Sequence, residues 1–388
     1  MMARLGDLFL HIRNGANIKQ GLDNTGYPIT RIETISNRTV DRNKMGYAGI
    51  TDLEKYSDFV MQDGDILMSH INSETHLGKT ALYEKEGDEI IIHGMNLLSL
   101  RPNKDLITSK YAFYYLSSQS FLRQIPNITK KSVNQASFTV SALKELVFPL
   151  MSIEKQKKIT VDLDKVSNLI SLRKQQLSKL DELVKSRFVE LFGDVQHEEK
   201  YKGIQLRELC TTVSGGTPST KFPAYYEGDI PWISTVSLGP NHIDGSTAKG
   251  YITQEAIDNS ATKLIPAGNI LFGTRVGVGK SSLNDVDICT NQDIVAIIGI
   301  DESRFKRLFI KHVLDAYQPY YDSIKKGATI LGITRDDLKD TLIPDAPIEI
   351  QMEYEAFVEQ VDKSKLEIQK SLEKLETLKK ALMQKYFG

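Results

Sequence analysis

The chain contains a second copy of part of itself. Residues 153–193 and 348–388 align without a gap at an offset of 195 positions, whereas the sequences that precede them differ. Identical positions in the two copies include Ile153 and Ile348, Glu154 and Glu349, Gln156 and Gln351, Leu180 and Leu375, Phe192 and Phe387, and Gly193 and Gly388. Solenoid repeats span roughly 20–50 residues, so a period of about 200 residues indicates a duplicated domain. We therefore expect each half to fold around its own core.

Both copies carry apolar residues at alternating spacings of three and four. In the first copy the frame is Leu163, Val166, Ile170, Arg173, Leu177, Leu180, Val184, Arg187 and Leu191. In the second it is Val358, Val361, Lys365, Ile368, Leu372, Leu375, Lys379, Leu382 and Tyr386. This frame persists for about four heptads and predicts a coiled-coil seam. We expect the two helices to pack on each other as an antiparallel coiled coil, rather than each on its own globular domain.

Prolines and glycines mark the limits of the helical segments. Pro149 precedes the first segment and Pro347 precedes the second, while Gly193 has the position of a C-terminal glycine. The chain is thereby divided into a globular domain at 1–150, a helix at 151–194, a second globular domain at 195–347 and a second helix at 348–388. The resulting arrangement is a pseudo-twofold internal repeat.

Short apolar or alternating runs between turn residues predict strands in both globular halves. The runs are 27–32, 65–68, 80–83, 89–93 and 97–100 in the first half, and 232–234, 269–272, 287–288 and 294–300 in the second. A helix is predicted to follow in each half, near 109–118 and 304–317. The pattern favours an α+β fold in which each half has a curved, mainly antiparallel sheet.

Composition limits the class of protein. The chain of 388 residues is 40% hydrophobic and 26% charged, and it has a formal net charge of −1. We find no apolar run of the roughly 20 residues that a membrane helix needs, and we expect a cytoplasmic protein without a membrane partner. The two cysteines, Cys210 and Cys289, lack metal-site spacing. Because the net charge would not attract a polyanion, any DNA-binding face must be local.

Several polar elements recur in both halves. Lys130-Lys131 and Lys325-Lys326 lie at the same offset of 195, and Gly78-Lys79-Thr80 resembles Gly279-Lys280-Ser281. Basic pairs in divergent halves suggest phosphate contacts, although solvated loop lysines would look the same. The loop 214–220, with sequence SGGTPST, could bring backbone N–H groups close to an anion. Asn291-Gln292 supplies amides of the type that pair with adenine edges.

Sequence signatures of catalysis are missing. Residues 273–281 resemble a P-loop, but the position that requires glycine is Thr274, so a hairpin that presents Arg275 and Lys280 is the better interpretation. The sequence has no HExxH, GxSxG or GxGxxG motif. We therefore expect no catalytic residue, no metal site and no cofactor in this chain.

Taken together, the motifs resemble the specificity subunit of a type I restriction-modification system. The marks of that family are Ile-Glu-x-Gln at 153–156 and 348–351, Leu-x-Lys-Leu-x-x-Leu-x-Lys at 177–185 and 372–380, GGTPST at 215–220, Pro-Trp-Ile at 231–233 and Thr-Asn-Gln at 290–292. The first half departs from this pattern, because it has Arg-Asn-Gly-Ala at 13–16 and His-Gly-Met-Asn at 93–96.

The resemblance implies two target-recognition domains that each read one half of a bipartite site in double-stranded DNA. It also implies that the helices set the spacer and dock two methyltransferase subunits. The complex would contain two restriction subunits as well. S-adenosylmethionine, ATP and Mg²⁺ are then expected on those partner subunits.

The predicted DNA-binding residues come from the recurring elements and from the family motifs. In the first half they are Lys19, Asn72, Lys79, Asn96, Lys130, Lys131 and Gln135. In the second half they are Gly215, Gly216, Thr217, Ser219, Thr220, Lys221, Arg275, Lys280, Asn291, Gln292, Lys325, Lys326 and Thr329. Three alternatives stay open: a self-contained DNA methyltransferase or nucleotide-dependent nuclease, a coiled-coil scaffold, and the recognition subunit of a type II methyltransferase-nuclease assembly.

Overall fold

A computed structural model describes residues 1–21, 25–35, 38–132, 135–197, 200–327 and 329–388. The chain divides into two units. The first consists of Met1–Lys174 and Lys370–Gly388, and the second of Gln175–Gln369. Two long helices, Ile153–Phe192 and Ile348–Phe387, cross this division. Each unit therefore contains one globular part, the beginning of one long helix and the end of the other.

Segments of the two long helices pair within each unit. In the first unit the Tyr386 hydroxyl donates to Asp162 Oδ2 at 2.7 Å, and Lys174 Nζ lies 3.2 Å from Glu376 Oε1. Moving from Asp162 to Lys174 along the first helix, the contacted residue of the second helix changes from Tyr386 to Glu376, so the segments are antiparallel.

The same pairing occurs in the second unit, where Lys365 Nζ lies 2.7 Å from Asp181 Oδ1 and Arg187 pairs with Glu353. Every position of both predicted heptad frames is buried or half-buried. By contrast, Leu172, which lies outside the frame, is exposed. The frame thus correctly predicts the covered face of each helix, whereas a single continuous coiled coil stays a prediction.

Antiparallel strands build the first unit. They are β1 (Met2–Arg4), β2 (Phe9–Asn14), β3 (Pro28–Ile29), β4 (Gly46–Tyr47), β5 (Ile66–Ser69), β6 (Ile71–Asn72), β7 (Thr80–Leu82), β8 (Leu97–Pro102), β9 (Lys130–Lys131), β10 (Ala136–Ser137) and β11 (Val147–Pro149). The largest sheet has the order β2-β8-β5-β7, beside smaller sheets β1-β11, β6-β10-β9 and β3-β4.

Short helices complete the first unit. The α-helices are Ser109–Leu116, Gln119–Leu122, Ile125–Ile128 and Val140–Lys144, and the 3₁₀ helices are Leu5–Leu8, Ile32–Ile35, Arg42–Lys44, Glu54–Phe59 and Glu74–His76. The helix predicted near 109–118 is confirmed. The strand predicted at 89–93 is wrong, because Ile92 forms only isolated bridges, to Ile29 and to Val60. Its backbone is shared between two neighbours instead of continuing along one.

Mixed sheets build the second unit. Its strands are β12 (Gly203–Gln205), β13 (Thr211–Ser214), β14 (Ile230–Ile233), β15 (His242–Ile243), β16 (Gly250–Ile252), β17 (Leu264–Ile265), β18 (Ile270–Gly273), β19 (Ser281–Asn284), β20 (Ile288–Thr290), β21 (Ile294–Ile298) and β22 (Leu342–Pro344). The sheets are β13-β21-β18-β19-β15, β16-β14-β20-β17 and β12-β22.

Two pairs in this unit, β14 with β20 and β15 with β19, are parallel, and the others are antiparallel. The α-helices are Leu206–Leu209, Gln254–Asp258, Arg307–Ala316, Gln318–Ile324 and Arg335–Lys339, and the 3₁₀ helices are Pro223–Tyr226 and Thr235–Ser237. The mainly antiparallel α+β fold is confirmed. Each half, however, has several small sheets where one curved sheet was expected.

The last aromatic residue of each long helix is buried in a globular core. Phe387 lies 5.4 Å from Tyr111 between ring centroids in the first unit. Phe192 lies 4.5 Å from Phe309 in the second unit. Aromatic pairs at these separations add to the free energy gained from area burial. The end of one long helix is therefore an integral part of each core.

A buried glutamine ties the beginning of each long helix to its globular part. Gln156 Oε1 accepts from the Thr108 N–H at 2.8 Å, and its amide donates to the carbonyls of Leu106 and Met151 at 2.9 Å each. Thr108 is the N-cap of the helix Ser109–Leu116. The side chain thus pairs three backbone groups in two segments, at Leu106 and Thr108 and at Met151.

Gln351 repeats this arrangement in the second unit. Its Oε1 accepts from the Lys306 N–H at 2.8 Å, and its amide donates to the carbonyls of Ala346 and Arg304 at 2.8 and 3.2 Å. Lys306 is the N-cap of the helix Arg307–Ala316. The Ile-Glu-x-Gln motif therefore has a structural explanation: its glutamine docks each helix onto its globular part.

We predict that Gln351→Leu lowers the free energy of unfolding by about 3 kcal/mol, because it leaves a buried N–H and two carbonyls unpaired. The measurement is urea denaturation followed by circular dichroism. Gln360→Leu, an exposed position on the same helix, is the matched control and should change stability by less than about 0.5 kcal/mol. Equal stability of the two variants would contradict the docking role.

Candidate nucleic-acid interface

The glycine loop of the second unit packs tightly against the end of β20. The N–H groups of Gly215 and Gly216 donate to the carbonyls of Ile294 and Thr290 at 3.0 and 2.9 Å. A Cβ atom added to Gly215 would lie 2.1 Å from the Asn291 carbonyl oxygen. Both N–H groups are used within the protein and are not free to bind an anion. The two glycines allow the loop backbone to approach the backbone after β20 closely. Their predicted contact with DNA stays a prediction.

Trp232 and Tyr226 fix this loop by hydrogen bonds to its carbonyl groups. Trp232 Nε1 donates to the Gly216 carbonyl at 3.0 Å, and the Tyr226 hydroxyl donates to the Pro218 carbonyl at 2.7 Å. The indole N–H thereby finds the partner that a buried tryptophan requires. The Pro-Trp-Ile motif and the GGTPST motif are thus parts of one packed structure.

The two amides after β20 have different surroundings. Asn291 is half-buried and donates from Nδ2 to Asp293 Oδ2 at 3.0 Å, while its Oδ1 is buried without a hydrogen-bond partner in the described part of the chain. Gln292 is exposed, and its Oε1 accepts from the Thr217 hydroxyl at 2.5 Å. Gln292 can therefore present its amide N–H groups to a ligand, whereas Asn291 holds the loop in shape.

Arg275 lies beside the same loop, at the end of β18. The backbone N–H of Thr274 donates to the Asp293 carbonyl at 2.8 Å, and its hydroxyl donates to the same oxygen at 3.1 Å. Arg275 Nη1 lies 3.8 Å from Asp293 Oδ1. Sequence reasoning missed Asp293, although a carboxylate directly after Asn-Gln was visible as a possible partner for a nearby arginine.

A third loop joins this surface. The Ile333 N–H donates to the Thr274 carbonyl at 2.8 Å, and Lys326 and Gly332 exchange backbone hydrogen bonds of 2.8 and 3.0 Å. Lys326 and Thr329 are exposed in this loop, whereas Lys325 is half-buried and paired with Asp322. The structure therefore brings the second-unit candidates of three separate segments onto one surface.

Arg335 is a further cation at this surface that sequence reasoning missed. Its Nη1 lies 3.5 Å from the Ser214 hydroxyl, directly before the glycine loop. The remaining candidates, Ser219, Thr220 and Lys221, are exposed in the turn that follows that loop. Lys280 is exposed at the other end of the hairpin from Arg275 and precedes strand β19, so residues 273–281 lack the helix that a P-loop requires.

The first unit contains the same close approach of backbones. The Ala16 N–H donates to the His93 carbonyl at 2.7 Å, and a Cβ atom on Gly15 would lie 2.1 Å from the Gly94 carbonyl oxygen. Residues 93–96 therefore take the place of 290–293 despite their different sequence. Asn96 follows in a left-handed conformation with φ of +77°, and Lys19 is exposed on the loop after Ala16.

A small sheet gathers the other candidates of the first unit. In β6-β10-β9, Ala136 lies opposite both Asn72 and Lys131, and Ser137 lies opposite Lys130. Lys131 Nζ lies 2.8 Å from Glu74 Oε1, while Lys130 is exposed.

The connections to this sheet position Gln135 and Lys79. The Gln135 carbonyl accepts from the N–H and from the hydroxyl of Ser132, each at 2.8 Å, and so links the residues that follow β9 and precede β10. The Lys79 carbonyl accepts from the Ser69 N–H at 2.9 Å, as the Lys280 carbonyl does from the Gly273 N–H. The two Gly-Lys elements are therefore structurally equivalent.

Buried histidines do not add positive charge to the first unit near neutral pH. Burial lowers the pKa of His70 to about 4 and that of His93 to about 3. His11 has a pKa of about 4, chiefly because of burial and then because of the Arg13 charge. Since all three imidazoles are neutral at pH 7, attraction of a polyanion depends on lysine and arginine.

Other chemistry receives no support from the described residues. Burial raises the pKa of Cys210 and of Cys289 to about 11, which keeps both thiols protonated. Within the described ranges, no group of three or more His, Cys, Asp or Glu side chains is arranged to hold a metal ion. A search of the same residues for helices long and apolar enough to cross a membrane finds none.

We predict that Gly215→Ala destabilises the second unit by about 1–3 kcal/mol, because its methyl group has to displace the backbone at Asn291. Thermal unfolding measures this change. Gly250→Ala is the matched control, since a Cβ atom there meets no atom within 4 Å. Identical melting temperatures of the two variants would show that the close approach is not required.

Comparisons with known proteins match this architecture. The sequence matches the family described as type I restriction modification DNA specificity domain twice, over residues 1–182 and 198–380. A relative named for the specificity subunit of the type I restriction enzyme MjaX, from Methanocaldococcus jannaschii, is 33% identical over 98% of this chain and 90% of its own length. The EcoR124I/EcoR124II specificity subunit of Escherichia coli is 41% identical over 24% of each chain.

Solved structures agree on the fold. The chain is similar to the S subunit of a type I restriction-modification system from M. genitalium, with a TM-score of 0.59, 14% identity and coverage of 100% of this chain and 96% of that one. It is also similar to a chain solved in a study of type I system assembly and conformational transition, with a TM-score of 0.57, 18% identity and coverage of 100% and 97%.

These relatives are named for type I systems, so the type II alternative is not favoured. The family matches account for both halves, each with its own candidate DNA-reading surface. The chain therefore belongs to the family of type I restriction-modification DNA specificity subunits.

Proposed function

We propose that this protein gives a type I restriction-modification complex its DNA sequence specificity, with each unit recognising one half of a bipartite site. One observation carries the proposal. Both units have the same close approach of a glycine loop to the segment that precedes a strand, at Gly15 with Gly94 before β8 and at Gly215 with Asn291 before β21. A shared backbone that presents different side chains suits two reading sites with different sequence preferences.

Strand register supports this interpretation. Ser69 pairs with Leu97 in the first unit, and Gly273 pairs with Ile294 in the second. Counting from these pairs, Ile71 is equivalent to Arg275 and Met95 to Gln292. The hydrogen-bonding side chains of Arg275 and Gln292 in the second unit thus correspond to the apolar side chains of Ile71 and Met95 in the first. We therefore infer that the two half-sites differ in base sequence.

Ion pairing within the protein distinguishes the lysines that are candidates for phosphate contacts. Among the described residues, Lys131 and Lys325 have carboxylate partners, Glu74 and Asp322, whereas Lys130 and Lys326 form no ion pair. A lysine that is already neutralised contributes less to the release of counterions from DNA. Lys130 in the first unit and Lys326 in the second are therefore the stronger candidates.

We further propose that the chain itself is not catalytic. Its partners would be two methyltransferase subunits that bind S-adenosylmethionine and two restriction subunits that use ATP and Mg²⁺, all acting in the cytoplasm. The long helices would dock the methyltransferase subunits, and their length would set the gap between the half-sites. Family membership and the absence of catalytic motifs from the sequence support these assignments.

The direct test combines the purified chain with its proposed methyltransferase partner subunit. We expect the complex to methylate DNA at a bipartite sequence that single-molecule sequencing can define. The chain alone with S-adenosylmethionine should methylate nothing. Methylation by the chain alone, or a recognition sequence in one uninterrupted block, would refute the proposal.

Charge removal distinguishes the two lysines of the second-unit pair. We predict that Lys326→Ala weakens DNA binding by the methyltransferase complex and reduces the slope of log affinity against log salt by about one, because one phosphate contact is lost. Lys325→Ala, the adjacent control, should have the smaller effect on both quantities. Gel shifts at several salt concentrations measure them, and a larger effect at Lys325 would contradict the assignment.

Helix length provides a separate prediction. Insertion of one heptad after Lys174 and a second after Gln369 lengthens both long helices by about 10 Å. At about 3.4 Å per base pair, the preferred gap should grow by roughly three base pairs. Mapping of the methylated sites measures the gap. An insertion in only one helix should impair assembly, whereas an unchanged gap in the doubly lengthened protein would rule out the spacer role.

A further inference from the structure

The loops that carry Arg275 and Gln292 are fixed to each other by backbone contacts. Thr274, directly before Arg275, donates two hydrogen bonds to the Asp293 carbonyl, of 2.8 and 3.1 Å. The Asp293 carboxylate is held at Oδ2 by Asn291 Nδ2 at 3.0 Å, and its Oδ1 faces Arg275 Nη1 at 3.8 Å. The guanidinium therefore extends from a rigid backbone and has a fixed carboxylate on one side.

We propose that Arg275 is the specificity-determining residue of the second unit, reading a guanine in the major groove, and that Asp293 is its positioning residue. This inference rests on the proposed function and assigns a base to one side chain of that surface. Arginine reads guanine by donating two parallel hydrogen bonds to O6 and N7. This requires that the planar guanidinium is held in the plane of the base.

Burial and charge favour a base contact over a phosphate contact. The Arg275 side chain is 56% exposed, whereas that of Asp293 is only 15% exposed, so the arginine can reach DNA while its partner stays within the protein. A neighbouring carboxylate reduces the attraction of arginine for phosphate but leaves donors free for a base edge. The exposed Lys280 of the same hairpin forms no ion pair among the described residues, and it suits the phosphate role better.

Among the described residues, the first unit has no arginine–aspartate pair at the equivalent positions. Register places Ile71 at the position of Arg275 and Asn96 at that of Asp293. Neither residue is charged, and an isoleucine cannot donate to a guanine. The dependence on arginine should therefore be confined to one half of the bipartite site, which makes the other half an internal control.

The test is the methylation motif of the assembled complex on a library in which both half-sites are randomised. We expect Arg275→Ala to lose discrimination at a single guanine of the second half-site by roughly tenfold or more, with the first half-site unchanged. Arg275→Lys keeps the charge but not the planar pair of donors, so it should lose discrimination at the same guanine. Asp293→Asn should weaken the preference there without shifting it to another position.

Lys280→Ala is the matched comparison in the same hairpin, and it should weaken binding to all sequences while leaving the motif unaltered. The inference is overturned if Arg275→Ala weakens all sequences uniformly with a smaller salt slope, if Arg275→Lys keeps full discrimination, or if the altered base lies in the first half-site. A wild-type complex with a clear bipartite motif separates these outcomes from failure of the proposed function.

Discussion

The buried glutamine at the beginning of each long helix is the contact on which the rest of each unit depends. It pairs with the N-cap residue of a globular helix and with two carbonyls, so it fixes the direction in which the long helix leaves the globular part. A buried amide with all its partners gives little net stability, but its loss leaves several backbone groups unpaired. The glutamine therefore specifies one arrangement more than it adds to the free energy of folding, and it does so in the same way at Gln156 and Gln351.

The tight packing of the glycine loops is a second constraint, and it is independent of the exposed side chains proposed to contact DNA. The glycine loops at Gly15 and Gly215 are held against their neighbouring segments so closely that a single Cβ atom does not fit. These contacts involve backbone atoms and, at Gly215, the buried Thr290 hydroxyl, so the exposed side chains around them can differ without changing the fold. Ile71 and Met95 in one unit, and Arg275 and Gln292 in the other, occupy equivalent places on this common framework. Stability and the proposed recognition of bases thus depend on different atoms.

The parts of the structure that depend on local periodicity could be predicted from the sequence. The heptad frames mark the covered helix faces, and most of the strands occur where alternation and turn residues indicated them. Register between distant segments could not be predicted, because it depends on pairings that no local pattern records. The parallel pairing of β14 with β20, the isolated bridges of Ile92 and the contact of Asp293 with Arg275 are examples. The partners of the Gly215 and Gly216 N–H groups could not be predicted either, since only the structure shows that these groups donate to the carbonyls of Ile294 and Thr290.

The position of Phe387 has a consequence for synthesis of the protein. This ring belongs to the core of the first unit, yet it lies 276 residues after Tyr111, whose ring it contacts. The first globular part is therefore translated well before Phe387, and its core closes only when the second long helix is present. The second unit is different, because Phe192 is already available when the segment around Phe309 emerges. A chain that ends before Phe387 should consequently leave the core of the first unit incomplete.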